Sequence, residues 1–331
     1  MTQAPPNPSP AASGAQPAGP IPPSLHASAG SRLVSSIVGD LEAAGRRFAA
    51  TAQQHGIDLS LLRGTIAPAS PRVPARVRQC CLPVPGAGGT AMLFVSTPGP
   101  PASCGPAAVQ HAERITAIQT ALVTLANLPV PVTVAQSLPE PGETEAIAAL
   151  EGAGLRRVGT LDYLTRPGPT RAELRPEPLP EGITLASASS LDDDALIELL
   201  DRTYVDTLDC PDLCGMRSTA DVLDSHRATP HHNPDHWSVI RDGERPEGLV
   251  LFTHDPAQRS LELVYLGLAP GVRGRRLARP VMEHALARLS HLTVDEITCA
   301  VDQANAPAVR LYRGMGFNTA GTRHAYVAGI D

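Results

Sequence analysis

Three groups of residues in the C-terminal half have types and spacings suited to chemistry. The stretch YLGLAPGVRGRRLARPVMEHAL, residues 265 to 286, opens as an apolar, β-prone run that stops at Pro270. It crosses a Gly- and Arg-rich turn and emerges as an amphipathic helix with Val281, Met282, Ala285, Leu286 and Leu289 on one face. A strand leading through such a loop into a helix N-terminus makes an anion cradle, because successive N–H groups converge and the helix dipole favours negative charge. Arg276 stands where a second glycine would let the backbone come close to that anion. The second group is Glu262, placed by strand alternation on one face with Val264, Leu266 and Leu268; it reads either as a proton acceptor beside a partly dry cleft or as a solvated strand-end charge. The third is Tyr312, seven residues after Asn305 on the short helix APAVRLYRGM. Taken alone, Tyr312 reads as a core or cleft tyrosine, and Asn305 as an N-cap ahead of Pro307.

The elements that must position these residues follow from periodicity. Helices are expected at 33–55, 107–127 and 143–152, with strands at 76–83, 90–97, 130–136 and 155–164. After residue 182 the pattern gives strands at 183–186, 237–241, 247–253, 260–269, 295–301 and 317–327, and helices at 191–206, 219–227, 277–291 and 305–314. The two halves end alike: EAIAALEGAGLRRVGTLDYL (145 to 164) lies over PAVRLYRGMGFNTAGTRHAY (307 to 326). In each, Gly154 or Gly316 sits one residue past a short helix, where a left-handed cap wants glycine. The shared order of elements reads as an internal duplication. Residues 1–31, rich in Pro, Ala, Gly and Ser, are expected to be unstructured. One α/β domain is expected over 32–165, a Pro-rich linker over 166–181, and a second α/β domain over 182–331.

Composition narrows the function. All 27 basic residues are arginine, which excludes a Walker lysine, a Schiff base and a catalytic lysine. The net charge of −6 points away from nucleic acid and anionic membrane as partners. No apolar run approaches the roughly 20 residues that cross a bilayer. No secretory signal opens the chain, so Cys80, Cys81, Cys104, Cys210, Cys214 and Cys299 are expected as reduced thiols of a cytoplasmic protein.

The C-terminal half resembles the GNAT superfamily of acyl-CoA-dependent N-acetyltransferases. The likeness rests on LELVYLGLAP (261 to 270), RGRRLA (273 to 278) and DQANAPAVRLYRGMGF (302 to 317), and covers about residues 181 to 327. It implies two tandem GNAT-like domains, each a mixed sheet flanked by helices, the second catalytic. It further implies direct transfer of an acetyl or other short acyl group from acetyl-CoA to a primary amine of a small molecule or peptide. Under the resemblance Leu266, Gly267 and Leu268 offer backbone groups to the pantetheine arm, and an amide near Leu268 holds the oxyanion. Arg273, Gly274, Arg275, Arg276, Leu277 and Ala278 cradle the diphosphate, and Asn305 anchors helix and cofactor. Glu262 is the base and Tyr312 the acid that protonates the departing thiolate. In the N-terminal copy Leu150 takes the tyrosine position and STPGPPASCGPAA (96 to 108) replaces the cradle, so that half is expected to be inactive. The competing expectation is a drifted tandem module that binds CoA weakly or not at all and works through protein contacts.

The segment DTLDCPDLCGMRSTADVLDSHRATPHHNPDHW (206 to 237) brings Cys210 and Cys214 near His226, His231, His232 and His236. These are zinc-ligand types, but the Cys spacing is marginal and no second clean pair follows, so no metal is expected. By the resemblance this segment forms the acceptor-side wall, with Tyr204 and Trp237 as packing groups. The acceptor and the oligomeric state are not encoded in any motif.

Overall fold

The computed structural model describes residues 14–34, 40–71, 73–170 and 174–330, and its contacts divide these into two units. The first runs to Arg157 and regains the chain at Tyr326; the second is Val158–Ala325. No described helix is long and apolar enough to cross a membrane.

The first unit contains β1 (Gly19–Pro20), α1 (His26–Leu33), α2 (Leu41–Gln54), β2 (Arg63–Ala67), β3 (Arg76–Pro85) and β4 (Thr90–Val95). These are followed by α3 (Pro101–Cys104), α4 (Ala107–Ala126), β5 (Val134–Ser137), α5 (Thr144–Gly152) and the start of β6 (Arg156–Pro167). Strands β1 to β5 pair in chain order, antiparallel except for the parallel pair β4–β5. The alternating apolar residues Ala91 and Leu93 pack with Ala117, Ile118 and Leu125 of α4 on one face. Ile21, Ala29, Leu62 and Val77 fill a second core with Phe48 of α2.

The second unit contains β7 (Ile183–Ser187), α6 (Asp193–Tyr204), α7 (Thr219–Arg227), β8 (Trp237–Asp242), β9 (Arg245–Asp255) and β10 (Ser260–Leu268). It closes with α8 (Ala278–Arg288), β11 (Glu296–Asp302), α9 (Ala306–Gly314) and most of β12 (Asn318–Gly329). The strand order is β7-β8-β9-β10-β11-β6, with β10 and β11 parallel and the other pairs antiparallel. Helices α8 and α9 cover one face, where Val281, Met282, Ala285, Leu286 and Tyr312 meet Leu261, Leu263, Ile297 and Cys299. The other face carries α6, whose Leu196, Leu199 and Leu200 meet Val239, Leu249 and Leu251. Both units are thus mixed α/β sheets flanked by helices.

Three differences from the sequence expectations have physical causes. Residues 14–31, expected to be unstructured, include β1 and most of α1, because Ile21 and Ala29 are buried despite the Pro-rich surroundings; residues 1–13 lie outside the described residues. The expected single helix over 33–55 is α1 and α2 around residues 35–39, which also lie outside them. Strand β6 continues to Pro167, since its residues Leu161 to Pro167 pair with β11, and the linker expectation therefore starts inside a strand.

Candidate active site

The strand β10 is where the sequence reading needs its first correction. Its register with β9 shifts between Leu263 and Tyr265, so Val264 is an extra residue and the alternation of faces is reset. Leu261 and Leu263 face the α8/α9 core, and past the bulge Leu266 and Leu268 pack on that same core. Val264 and Tyr265 pack instead against the α6 side. Glu262 lies between Leu261 and Leu263 and so points to the α6 side. The expected grouping of Glu262 with Leu266 and Leu268 on one face does not form, and Glu262 and Tyr312 stand on opposite faces of the sheet.

The bulge also marks a parting of strands. The parallel ladder between β10 and β11 runs from Ser260–Glu296 to Leu263–Cys299 and ends there. From Tyr265 to Leu268, β10 is paired only with β9, while Ala300 to Asp302 of β11 are paired only with β6. Two parallel strands that start paired and then separate leave a wedge between them, lined by backbone groups of Leu266, Gly267 and Leu268. Gly267 is needed here: a Cβ would stand 2.4 Å from the Tyr265 hydroxyl.

At the open end of the wedge lies the loop before α8. Arg273 has φ −66°, Gly274 +77°, Arg276 +60° and Leu277 −77°. Such reversals of hand turn successive N–H groups towards one side, the geometry of an anion nest. The amides of Gly274, Arg275, Arg276 and Leu277 have no hydrogen-bond partner among the described residues. Ala278 and Arg279 follow in the first turn of α8, where N–H groups have no intrahelical acceptor. Arg276 therefore does not spoil the loop; it adopts the left-handed conformation that a glycine would. That conformation costs a non-glycine residue about 1–2 kcal/mol, a strain that clusters at functional sites.

The arginine side chains divide the work differently from the expectation. Arg273 does not point at the cradle. Its guanidinium donates to the carbonyls of Leu268 (2.8 Å), Thr203 (2.8 Å) and Val205 (2.7 Å), capping the end of α6. Arg275 pairs with Asp242 at 2.6 Å, and Arg279 with Glu283 at 2.8 Å. Arg276 is exposed and makes no hydrogen bond or ion pair among the described residues. Asn305 caps α9, accepting the Ala308 N–H at 3.3 Å.

Tyr312 is buried against Phe317 and Cys299, and its hydroxyl has no hydrogen-bond partner among the described residues. Burial pushes its pKa well above the ordinary phenol value, with Cys299 and Asp209 adding to the rise. Glu262, exposed on the α6 side, has its carboxyl pKa raised by desolvation. On that face Tyr265 bonds to Thr203 at 2.7 Å and stacks near Tyr204 and His226, at ring distances of 5.8 and 5.6 Å. The sequence reading included Tyr204 and His226 in this wall and missed Tyr265, because regular alternation had put Tyr265 on the opposite face.

Burial, and secondarily Arg217, lowers His226 to about 4. A histidine that stays neutral in the folded state and charges near 6.5 when unfolded stabilises the fold above that pH. The contribution, about 3 kcal/mol in full, is lost as pH falls from 6.5 towards 4. Urea unfolding of the wild type at acid and neutral pH is expected to show this loss, and His226→Phe is expected to abolish most of it. An identical pH slope in the two proteins would remove the assignment.

The first unit shows how an equivalent loop is closed. Pro98, Pro100, Pro101 and Pro106 have no N–H to offer. The Gly99 amide is taken by Gln110 at 2.9 Å, and those of Ser103, Cys104 and Gly105 by the carbonyls of Pro100 and Pro101. Leu150, at the tyrosine position, is fully buried.

Over 95% of both chains the fold is shared with a GCN5-related N-acetyltransferase from Sphaerobacter thermophilus, at a TM-score of 0.58 and 18% identity. Residues 195–317 match the model of the Acetyltransferase (GNAT) family, which shows the resemblance read from the sequence. A mycothiol acetyltransferase of Salinispora arenicola is 31% identical over 189 residues, 53% of this chain and 57% of that protein. Another, of Kineococcus radiotolerans, is 34% identical over 114 residues, 34% of this chain and 36% of that protein. A peptidyl-lysine N-acetyltransferase of Salmonella typhimurium is 31% identical over 85 residues, 26% of this chain and 51% of that protein. The matched stretches thus span between about a third and three-fifths of these relatives' lengths.

Proposed function

We propose that the second unit transfers an acetyl or short acyl group from acetyl-CoA to a primary amine by direct attack, and that the first unit is a degenerate, inactive copy. The observation that carries this reading is the run of four amides, without partners among the described residues, set at the mouth of the β10–β11 wedge. The nest would hold the diphosphate, with Arg276 reaching a phosphate oxygen. The pantetheine arm would run into the wedge along Leu266, Gly267 and Leu268, on the side of β10 that β11 has left. One of their amides would bind the oxyanion of the tetrahedral intermediate.

A thioester lying inside a parted sheet is open to groups from both faces. Tyr312 approaches from the α8/α9 side as the acid for the departing thiolate. Glu262, from the α6 side, is the proton acceptor read from the sequence, and the Tyr204, Tyr265 and His226 wall borders the amine. The acceptor is a small-molecule or peptide amine; the relatives' names put a mycothiol-type acceptor first in order of testing and a lysine peptide second. A cytoplasmic setting belongs to the same reading, since all six cysteines are free.

Calorimetry of the full chain with acetyl-CoA tests the reading directly. Saturable binding that S-acetylpantetheine, which lacks the diphosphate, fails to reproduce is the expected result. An absence of heat with acetyl-CoA would favour the module without CoA binding.

A further inference from the structure

The wedge already holds one side chain. Antiparallel pairing of β11 with β6 places Asp302 opposite Leu161, and the next residue, Gln303, donates its N–H to Thr160 at 2.8 Å. Because N–H groups alternate sides along a strand, the Asp302 amide points away from β6 and into the gap left by β10. Asp209 Oδ1 accepts that amide at 3.0 Å. Asp209 therefore stands in the open part of the wedge.

Its seat is built rather than incidental. Asp302 accepts the Cys210 N–H on Oδ2 at 3.1 Å and the Ala304 N–H on Oδ1 at 3.0 Å, which ties the 209–210 segment to the end of β11. Cys210 is buried with φ +42°, and Asp206 has φ +50°. Gly159 of β6 makes the room: a Cβ there would stand 2.7 Å from Cys210 Sγ and 3.0 Å from Asp302 Oδ2. Two non-glycine residues held left-handed in one short segment store strain where a side chain is being aimed.

We propose that Asp209 is the proton acceptor for the incoming amine, an assignment that rests on the acyl-transfer reading above. Glu262 stands outside the open part of the wedge. It sits opposite Thr298, where β10 and β11 are still paired, and Asp302 lies four positions further along β11, about 13 Å away. Asp209 is exposed on one side, so a proton can leave to solvent. Protein crowds its other sides: desolvation raises its pKa against the lowering effect of the Asp302 N–H bond, and the Asp302 charge adds to the rise. The titratable groups around it are Cys210 on its own segment, Asp302 and Cys299 on β11, Tyr265 on β10 and Tyr312 on α9.

In the step, the acceptor R–NH3+ gives one proton to the Asp209 carboxylate, which releases it to water. The freed nitrogen lone pair forms the N–C bond at the thioester carbonyl. The C–S bond breaks with its electrons on sulfur, and the nitrogen's second proton is lost as sulfur gains one. The sum is R–NH3+ and thioester giving amide, thiol and one proton.

Asp209→Asn keeps the oxygen that accepts the Asp302 amide and removes the capacity to take a proton. With the full chain, acetyl-CoA and methylamine as probe amine, thiol release is followed from about pH 5 to about pH 9. The expected result is a fall in kcat/KM of about 100-fold with the acid limb of the profile lost, and an unchanged acetyl-CoA Kd. Asp209→Glu should recover part of the limb. Hydrolysis of acetyl-CoA by water, read in the same assay, needs the same proton acceptor and serves if the pocket rejects methylamine. An unchanged profile in Asp209→Asn, or loss of the limb in Glu262→Gln, overturns the assignment while leaving acyl transfer intact. A wild type that does not bind acetyl-CoA overturns the acyl-transfer reading itself.

Discussion

The Gly274→Pro protein is expected to lose acetyl-CoA affinity by about 100-fold while still unfolding cooperatively in urea, its stability lowered only by loop strain of roughly 1–3 kcal/mol. The two halves of that expectation come from different parts of the geometry. Gly274 has φ +77°, which proline cannot adopt, so the alternation of hand that converges the loop amides is destroyed. The substitution also deletes one of the four unpartnered N–H groups. Two charge-assisted hydrogen bonds to a diphosphate, at roughly 1.5 kcal/mol each, account for the factor. The loss goes no further than that strain because the Gly274 amide has no hydrogen-bond partner among the described residues and a Cβ there meets no atom within 4 Å. The preceding residue is already suited: Arg273 at φ −66°, ψ 155° lies in the region that proline imposes on its predecessor. Arg276→Gly is the companion measurement, since it keeps the left-handed turn and removes only the guanidinium. Calorimetry that found Gly274→Pro binding as the wild type does would remove the nest from the mechanism.

The loop was legible in the sequence because its signals are local. A β-prone run, a turn with Gly274, and a helix with Val281, Met282, Ala285 and Leu286 on one face need no partner to be recognised. The order of elements in both units was legible for the same reason. Side-chain direction was not. Nothing in LELVYLGL announces that Val264 is an added residue, since the run is apolar on both sides of it and either parity gives a buried face. The bulge was set by pairing with β9, a long-range fact. Arg273 was assigned to the phosphate from its place in the motif, whereas three carbonyls at the end of the strand and of α6 claim it first. Asp209 was hidden in a segment read for its cysteines and histidines. Its partner is an amide 93 residues away, and only the parting of β10 from β11 leaves that amide unclaimed. The one local hint was the Asp-Cys-Pro turn before a short 3-10 helix, too common a pattern to single out.

Tyr312→Phe is expected to lower kcat by about 100-fold and to leave the acetyl-CoA Kd unchanged. The difficulty for an acid at this position is that burial raises the phenol, and a stronger O–H bond gives its proton less readily. The same surroundings act on the leaving group. Cys299 shares the core with Tyr312, and burial there raises its thiol to about 12. A CoA thiolate released into that core would be similarly desolvated, so both conjugate acids rise together. The gap between them stays near the roughly 1.5 units that separate a free thiol from a free phenol, an uphill transfer of about 2 kcal/mol. That is small enough for the proton to move as the C–S bond breaks. In Tyr312→Phe the thiolate would leave unprotonated from a dry site, where an unpaired charge is costly. Folding stability is expected to hold, because the Tyr312 hydroxyl has no hydrogen-bond partner among the described residues to lose. Single-turnover kinetics separate the outcomes: a slowed acyl-transfer step supports the acid role, and an unchanged step with normal product release would assign Tyr312 to packing against Phe317 alone.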